Sequence, residues 1–138
     1  MKFNLVDKVI EQTAERIVTV KAVTIAEEYL QDHFPTYPVL PGVLMIEALV
    51  QAGRQMLTAT AGNPRLVLGE VRALRYGSFV RPGEALKVEV SLVSQEDGKY
   101  NCKGVGYVLR PGENEPASPP PTAVSGRFTL RPIRAAAS

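Results

Sequence analysis

Between Glu84 and Glu96 the chain alternates: Leu86, Val88, Val90 and Leu92 fall on one side, Lys87, Glu89 and Ser91 on the other. That period of two predicts a half-buried β-strand. Asp97-Gly98 then marks a hairpin turn, and residues 99–110 read as the partner strand. In it Tyr100, Tyr107 and Val108 favour β-structure, while Gly104 and Gly106 weaken it and provide room for a bulge. Residues 15–24, 66–76 and 123–133 give further strands. A different pattern begins at Gly42. Residues 42–61 (GVLMIEALVQAGRQMLTATA) contain no proline and are rich in Leu, Met and Ala, so they predict one helix of about 30 Å beginning at Pro41-Gly42. Most of that helix reads as apolar around its whole circumference, which predicts burial inside a sheet or between subunits. Residues 26–31 predict a short second helix.

The remaining features limit the possibilities. At 138 residues and 45% hydrophobic content, the chain fits one domain, residues 1–138, with its own core. Residues 111–122 (PGENEPASPPPT) interrupt strand pairing and predict a proline-rich loop. The tail at 135–138 is expected to fray. No run is long enough to span a bilayer and no signal-peptide pattern opens the chain, so the expectation is a cytoplasmic protein. A net charge of +2 is too mild to argue for nucleic acid. The one cysteine, Cys102, lies in a predicted strand and reads as a small packed side chain rather than a nucleophile. One histidine and one cysteine fall short of the usual zinc ligand sets, and no phosphate loop or dinucleotide fingerprint is visible. Neither a metal nor a cofactor is expected.

The chemistry concentrates in residues 33–51, HFPTYPVLPGVLMIEALVQ. His33, the only histidine, sits in a stretch where Pro35, Pro38 and Pro41 exclude a regular helix. Glu47 lies among Val43, Leu44, Ile46 and Ala48, where burial would raise its pKa toward the range a general acid needs. Gln51 is one turn further along the same face and within hydrogen-bonding range of it. The first N–H groups of the helix have no intrahelical partner and carry the positive end of the dipole, so they would stabilise a developing oxyanion. Gly42 would let a carbonyl approach them. Taken singly, His33 reads as a loop histidine, Glu47 as a satisfied or solvent-facing carboxylate, and Gly42 as an ordinary helix junction. Together they point to acid/base chemistry.

These residues resemble the signature of the bacterial 3-hydroxyacyl-[acyl-carrier-protein] dehydratases of the FabZ type, close to HFPGxPVMPGVLxxEAxAQxG. His33, Phe34, Pro35, Pro38, Val39, Pro41, Gly42, Val43, Leu44, Glu47, Ala48, Gln51 and Gly53 fall where that pattern places them. Weaker similarity runs through Leu5-Val6-Asp7-Lys8-Val9 and Val80-Arg81-Pro82-Gly83-Glu84. The chain departs from the pattern at Asp32 and Thr36, where the family has glycine, at 76–83 (YGSFVRPG, against FRxPVxPG), in lacking the PHRYPFL segment that precedes LVDRV, and in the 111–122 insertion.

The resemblance implies an α+β hotdog fold, an antiparallel sheet wrapped around one long helix, with dimers joined edge to edge and higher oligomers built from them. It implies reversible dehydration of a (3R)-3-hydroxyacyl thioester to the trans-2-enoyl thioester, with His33 and Glu47 as the acid/base pair and Gly42 N–H at the carbonyl oxygen. The pair would come from different subunits, with Tyr76 and Phe79 along the acyl tunnel. The expected partner is an acidic acyl carrier protein, for which Arg72, Arg75, Arg81, Arg127, Arg131 and Arg134 offer a basic patch; a solvated face is the ordinary alternative for each. A hotdog thioesterase and a non-catalytic acyl-thioester or carrier-binding module are the competing readings.

Overall fold

In the computed structural model, described for residues 4–23, 40–61, 66–110 and 120–132, a sheet curves around a single long helix. The strands are β1 (Lys8–Gln12), β2 (Arg16–Ala22), β3 (Leu66–Tyr76), β4 (Ala85–Glu96), β5 (Lys99–Leu109) and β6 (Thr122–Pro132). The helix, α1, is Gly42–Ala61 and lies between β2 and β3 in sequence. All pairings are antiparallel, and the order across the sheet is β1-β2-β4-β5-β6-β3. The chain therefore crosses by way of α1 from β2 to the far edge, where among the described residues β3 pairs only with β6.

One face of the sheet is apolar because the strands alternate. Val88 and Val90 from β4, Cys102 from β5, and Val124, Phe128 and Leu130 from β6 are buried. Against them the helix sets Leu44, Met45, Ala48, Leu49, Ala52, Met56 and Leu57, all 3% exposed or less. These recur at helical spacing and define the sheet-facing side. The opposite stripe carries Val43, Glu47, Gln51, Arg54, Gln55 and Thr58, all half-buried or exposed. The helix is thus not apolar all round; a polar stripe one residue in three or four leaves the sheet, and Glu47 is on it.

Two glycines in β5 serve different ends. A methyl group on Gly104 would sit 3.1 Å from Leu49, so this position lets the helix settle onto the sheet. Gly106 borders the irregularity between β5 and β6, the bulge that the sequence anticipated. Burial of the Cys102 thiol, 1% exposed, pushes its pKa up to about 12, consistent with a packed side chain. One element went unanticipated: β1, whose residues are almost all exposed and carry no alternating pattern. The expected helix at 26–31, the tail at 135–138 and most of the proline-rich loop lie outside the described residues.

Candidate active site

The proline-rich approach to the helix ends at Pro41, whose carbonyl accepts hydrogen bonds from Leu44 N–H (3.0 Å) and Met45 N–H (3.2 Å) and so opens the first turn. Leu40 N–H donates to the Val80 carbonyl at 2.8 Å. This bond pins the helix N-terminus beside residues 76–80, which follow β3. That segment is itself held by Gly77 N–H to the Ala123 carbonyl and Ser78 N–H to the Thr122 carbonyl, each 2.8 Å.

The consequence is a contact that sequence spacing does not reveal. The ring of Tyr76 lies against Gly42; a methyl group there would meet Cε1 and Cζ at 2.8 Å and the hydroxyl at 3.1 Å. The absence of a side chain at position 42 therefore accommodates an aromatic ring in this subunit. Tyr76 keeps 52% of its surface exposed, yet partial burial raises its phenol pKa above the ordinary value, so it is a neutral O–H donor at physiological pH. Phe79 is 56% exposed, so both proposed tunnel residues leave much of their aromatic surface open.

One turn into α1 stands Glu47, half-buried, not enclosed as its apolar sequence neighbours led us to expect. Leu44, Ile46 and Ala48 turn toward the sheet or its margin while Val43, 57% exposed, shares the uncovered side. Gln51 donates from Nε2 to Glu47 Oε1 at 3.4 Å, the i,i+4 contact expected from spacing. Its Oε1 meanwhile accepts the Leu5 N–H at 2.8 Å. Because that oxygen is engaged, the amide is oriented with its NH₂ group toward the carboxylate. Leu5, 1% exposed, anchors the N-terminal segment in the core, so the acid is oriented by a residue far from it in sequence.

A groove of about 660 Å³ continues along the polar stripe, lined among the described residues by Gln12, Gln51, Arg54, Gln55 and Thr58. It begins a turn beyond Glu47. Arg54 Nε donates to the Leu66 carbonyl at 3.0 Å, tying the helix to the start of β3. His33 lies outside the described residues, so the structure positions Glu47, Gly42, Gln51, Tyr76 and Phe79 without it. Among the described residues no group of three or more His, Cys, Asp or Glu could hold a metal ion, and none of their helices is long and apolar enough to cross a membrane.

Of the six arginines singled out from the sequence, the register puts Arg72, Arg75, Arg127 and Arg131 on the outer face of the sheet, away from α1. Arg81 belongs instead to the turn before β4, where its N–H donates to Glu84 Oε1 at 2.8 Å. Arg134 is outside the described residues. The Glu84 carboxylate, only 11% exposed, also binds Arg110 at 3.1 Å, so this turn is held by one buried carboxylate. Sequence alone gave no signal for either contact.

Comparison with known proteins fits this frame. The model of the FabA-like domain matches residues 1–109. The chain is 43% identical over 107 residues to the 3-hydroxyacyl-[acyl-carrier-protein] dehydratase FabZ of Thermotoga neapolitana, covering 77% of each. It is 39% identical over 117 residues to that of Clostridium perfringens, covering 74% of this chain and 84% of the relative. Among solved structures, a chain of the dehydratase heterocomplex ApeI:P from Xenorhabdus doucetiae superposes with a TM-score of 0.66 at 14% identity, over 94% of this chain and 98% of the other. A hypothetical thioesterase with coenzyme A from Streptococcus pneumoniae does so with a TM-score of 0.64 at 10% identity, over 91% and 84%. Those structures share the hotdog fold. The chain belongs to the FabA-like family, among its FabZ-type members.

Proposed function

We infer that this protein is a hydro-lyase that removes water reversibly from (3R)-3-hydroxyacyl-[acyl-carrier-protein] to give the trans-2-enoyl thioester in fatty acid biosynthesis. The carrying observation is the identity to FabZ proteins over about three quarters of the chain. The oriented carboxylate of Glu47 and the helix N-terminus behind Gly42 support it.

In this reading His33, in its neutral form, abstracts the C2 proton. Enolate-like charge on the thioester oxygen is met by the N–H of Gly42, where the helix dipole favours negative charge. Glu47 acts as the acid that assists departure of the C3 hydroxyl, with Gln51 holding the carboxyl in place. Tyr76 and Phe79 line the path of the acyl chain.

Val43 and Gln55 stay exposed on the carboxylate side of the helix, and β3 supplies a reason to pair. It is an eleven-residue edge strand, and its large side chains Leu68 (37%), Leu74 (36%) and Tyr76 are exposed. A long unpaired edge with apolar residues is a template for another strand. Edge-to-edge joining of two β3 strands would bring a second subunit to the site, so that His33 and Glu47 act across the seam and dimerisation becomes a condition of activity. The acidic carrier would be attracted by the arginines on the outer face.

The test follows water loss and addition by mass spectrometry on short 3-hydroxyacyl and 2-enoyl thioesters of acyl carrier protein. His33→Ala and Glu47→Gln should each lower turnover by about a hundredfold or more, the range removed with a general acid or base, while fold and dimer persist. Free thiol without an enoyl product would identify a thioesterase instead, and carrier binding without turnover a binding module.

A further inference from the structure

The outer face of the sheet, which the dehydratase reading uses only as a general attraction for the carrier, carries a more specific arrangement. The register sets Ser91 of β4 opposite Lys103 of β5, Lys103 opposite Arg127 of β6, and Arg127 opposite Arg72 of β3. Three cations thus stand side by side on three neighbouring strands. Directly opposed like charges destabilise a sheet, and among the described residues neither Lys103 nor Arg127 has an ion-pair partner. Arg72 has Glu70 at 3.8 Å, with both side chains about two-thirds exposed, where a pair is heavily screened.

Beside this row is a cleft of about 130 Å³, lined by Arg72, Arg127, Ser94, Asn101 and Thr129 together with Val93, Cys102 and Phe128. Several of its polar groups are free to donate. Asn101 Nδ2 donates to Ser94 Oγ at 2.8 Å, and the Glu70 N–H donates to Thr129 Oγ1 at 2.9 Å. Each hydroxyl already accepts a bond, so each has its own O–H left to give. Two guanidinium groups add donors that never accept.

The backbone around the cleft is irregular on both sides. Strand β4 bulges between Leu92 and Ser94, and β3 slips register on either side of Arg72, between Leu68 and Val71 and between Arg72 and Arg75. Ala73 adopts φ 54°, a left-handed conformation that disfavours a residue with a Cβ. A methyl group on Gly69 would lie 2.6 Å from Thr129 Oγ1, so that glycine makes room for the hydroxyl. Bulges re-aim side chains and concentrate at binding sites; here they present Arg72, Ser94 and Thr129 to one space.

We propose that this cleft binds a phosphate group. The volume equals roughly four water molecules at about 30 Å³ each, enough for a tetrahedral oxyanion and too small for a whole substrate. A planar carboxylate is satisfied by one arginine fork. Two arginines on adjacent strands, with hydroxyl donors arriving from separate strands, match an anion with oxygens in several directions, and Lys103 adds long-range attraction. The phosphate is either free inorganic phosphate or the phosphate of a nucleotide-containing coenzyme. The site is on the opposite side of the sheet from Glu47, and it does not depend on the acid/base chemistry proposed there.

The test is a titration of the ¹⁵N-labelled full-length protein with inorganic phosphate, against potassium chloride at matched ionic strength, followed through backbone amide resonances. Saturable shifts at Glu70, Ser94, Asn101 and Thr129 are expected, weakened about tenfold or more by Arg127→Gln, as loss of a charge-assisted bond implies. Thr129→Val, which removes a donor and no charge, should weaken binding by a smaller factor. Coenzyme A that displaces phosphate, when 3′-dephospho-coenzyme A does so less well, identifies the coenzyme's 3′-phosphate as the source. Phosphate binding that coenzyme A leaves untouched identifies the free ion. Shifts that fail to saturate, that chloride reproduces, or that persist unchanged in Arg127→Gln overturn the proposal.

Discussion

Gly77→Ala tests how tightly the wall of the site is fixed. A methyl group at position 77 would be placed 2.2 Å from the Thr122 carbonyl oxygen, whereas a Cβ essentially never comes within 3.0 Å of another heavy atom. Backbone has to move by at least about 0.8 Å, and the obstacle is a strand, not a side chain that can swing aside. If that movement separates residue 77 from β6, the 2.8 Å bonds from Gly77 and Ser78 lengthen to about 3.6 Å, beyond hydrogen-bonding range. At about 1 kcal/mol net for each bond, with residual crowding of similar size, the loss is about 2–3 kcal/mol. Gly98→Ala is the comparator. Gly98 has φ 77° and nothing within 4 Å of an added methyl, so it costs only left-handed strain, about 1 kcal/mol. Urea unfolding at one fixed protein concentration measures both. With m near 2 kcal/mol per molar, the Gly77 variant should unfold about 1 M earlier than wild type and the Gly98 variant about 0.5 M earlier. Because the moved segment carries Tyr76, Phe79 and Val80, Gly77→Ala should also lower dehydration activity under native conditions, while Gly98→Ala leaves it intact. A Gly77 variant as stable as the Gly98 variant, with full activity, would refute the argument.

Gln51→Leu removes both the Leu5 contact and the donor to Glu47, so kcat should fall about tenfold, the value of one charge-assisted bond, with KM unchanged; an equal rise in KM would point to substrate binding instead. Thr19 is 0% exposed and its hydroxyl has no hydrogen-bond partner among the described residues. Thr19→Val should therefore raise stability by about 1 kcal/mol, and a loss on urea unfolding would show that the hydroxyl has a partner. The Cys102 pKa is raised in the folded state from 9.0 to about 12, so folding favours the neutral thiol. Its contribution is complete below pH 9 and is lost as pH rises toward 12. Cys102→Ala should flatten the alkaline decline of stability over that window, and Ellman's reagent should modify Cys102 only as the wild type unfolds.

Much of the secondary structure was legible because it follows from local patterning. The helix begins and ends where Gly42 and Ala61 were expected, since prolines exclude helix before it and none interrupts it. Strands β3 to β6 lie within a residue or so of expectation, since alternation at β4 and the Asp97-Gly98 turn specify a hairpin by themselves. The FabZ-type motif was legible too, because its residues lie close together in sequence. Strand β1 was not: an exposed edge strand carries no burial pattern, and its pairing with β2 is what makes it a strand. Periodicity reports that a face is buried, never what lies opposite. It placed Glu47 among apolar neighbours, while the tertiary structure put it on the uncovered stripe of α1. Sequence spacing joined Gln51 to Glu47, but only the folded chain brings Leu5 to Gln51 and the Tyr76 ring to Gly42. The row of Lys103, Arg127 and Arg72 likewise exists only once β3 has crossed to the side of β6, because strand order and register are set by contacts between distant segments that no local window contains.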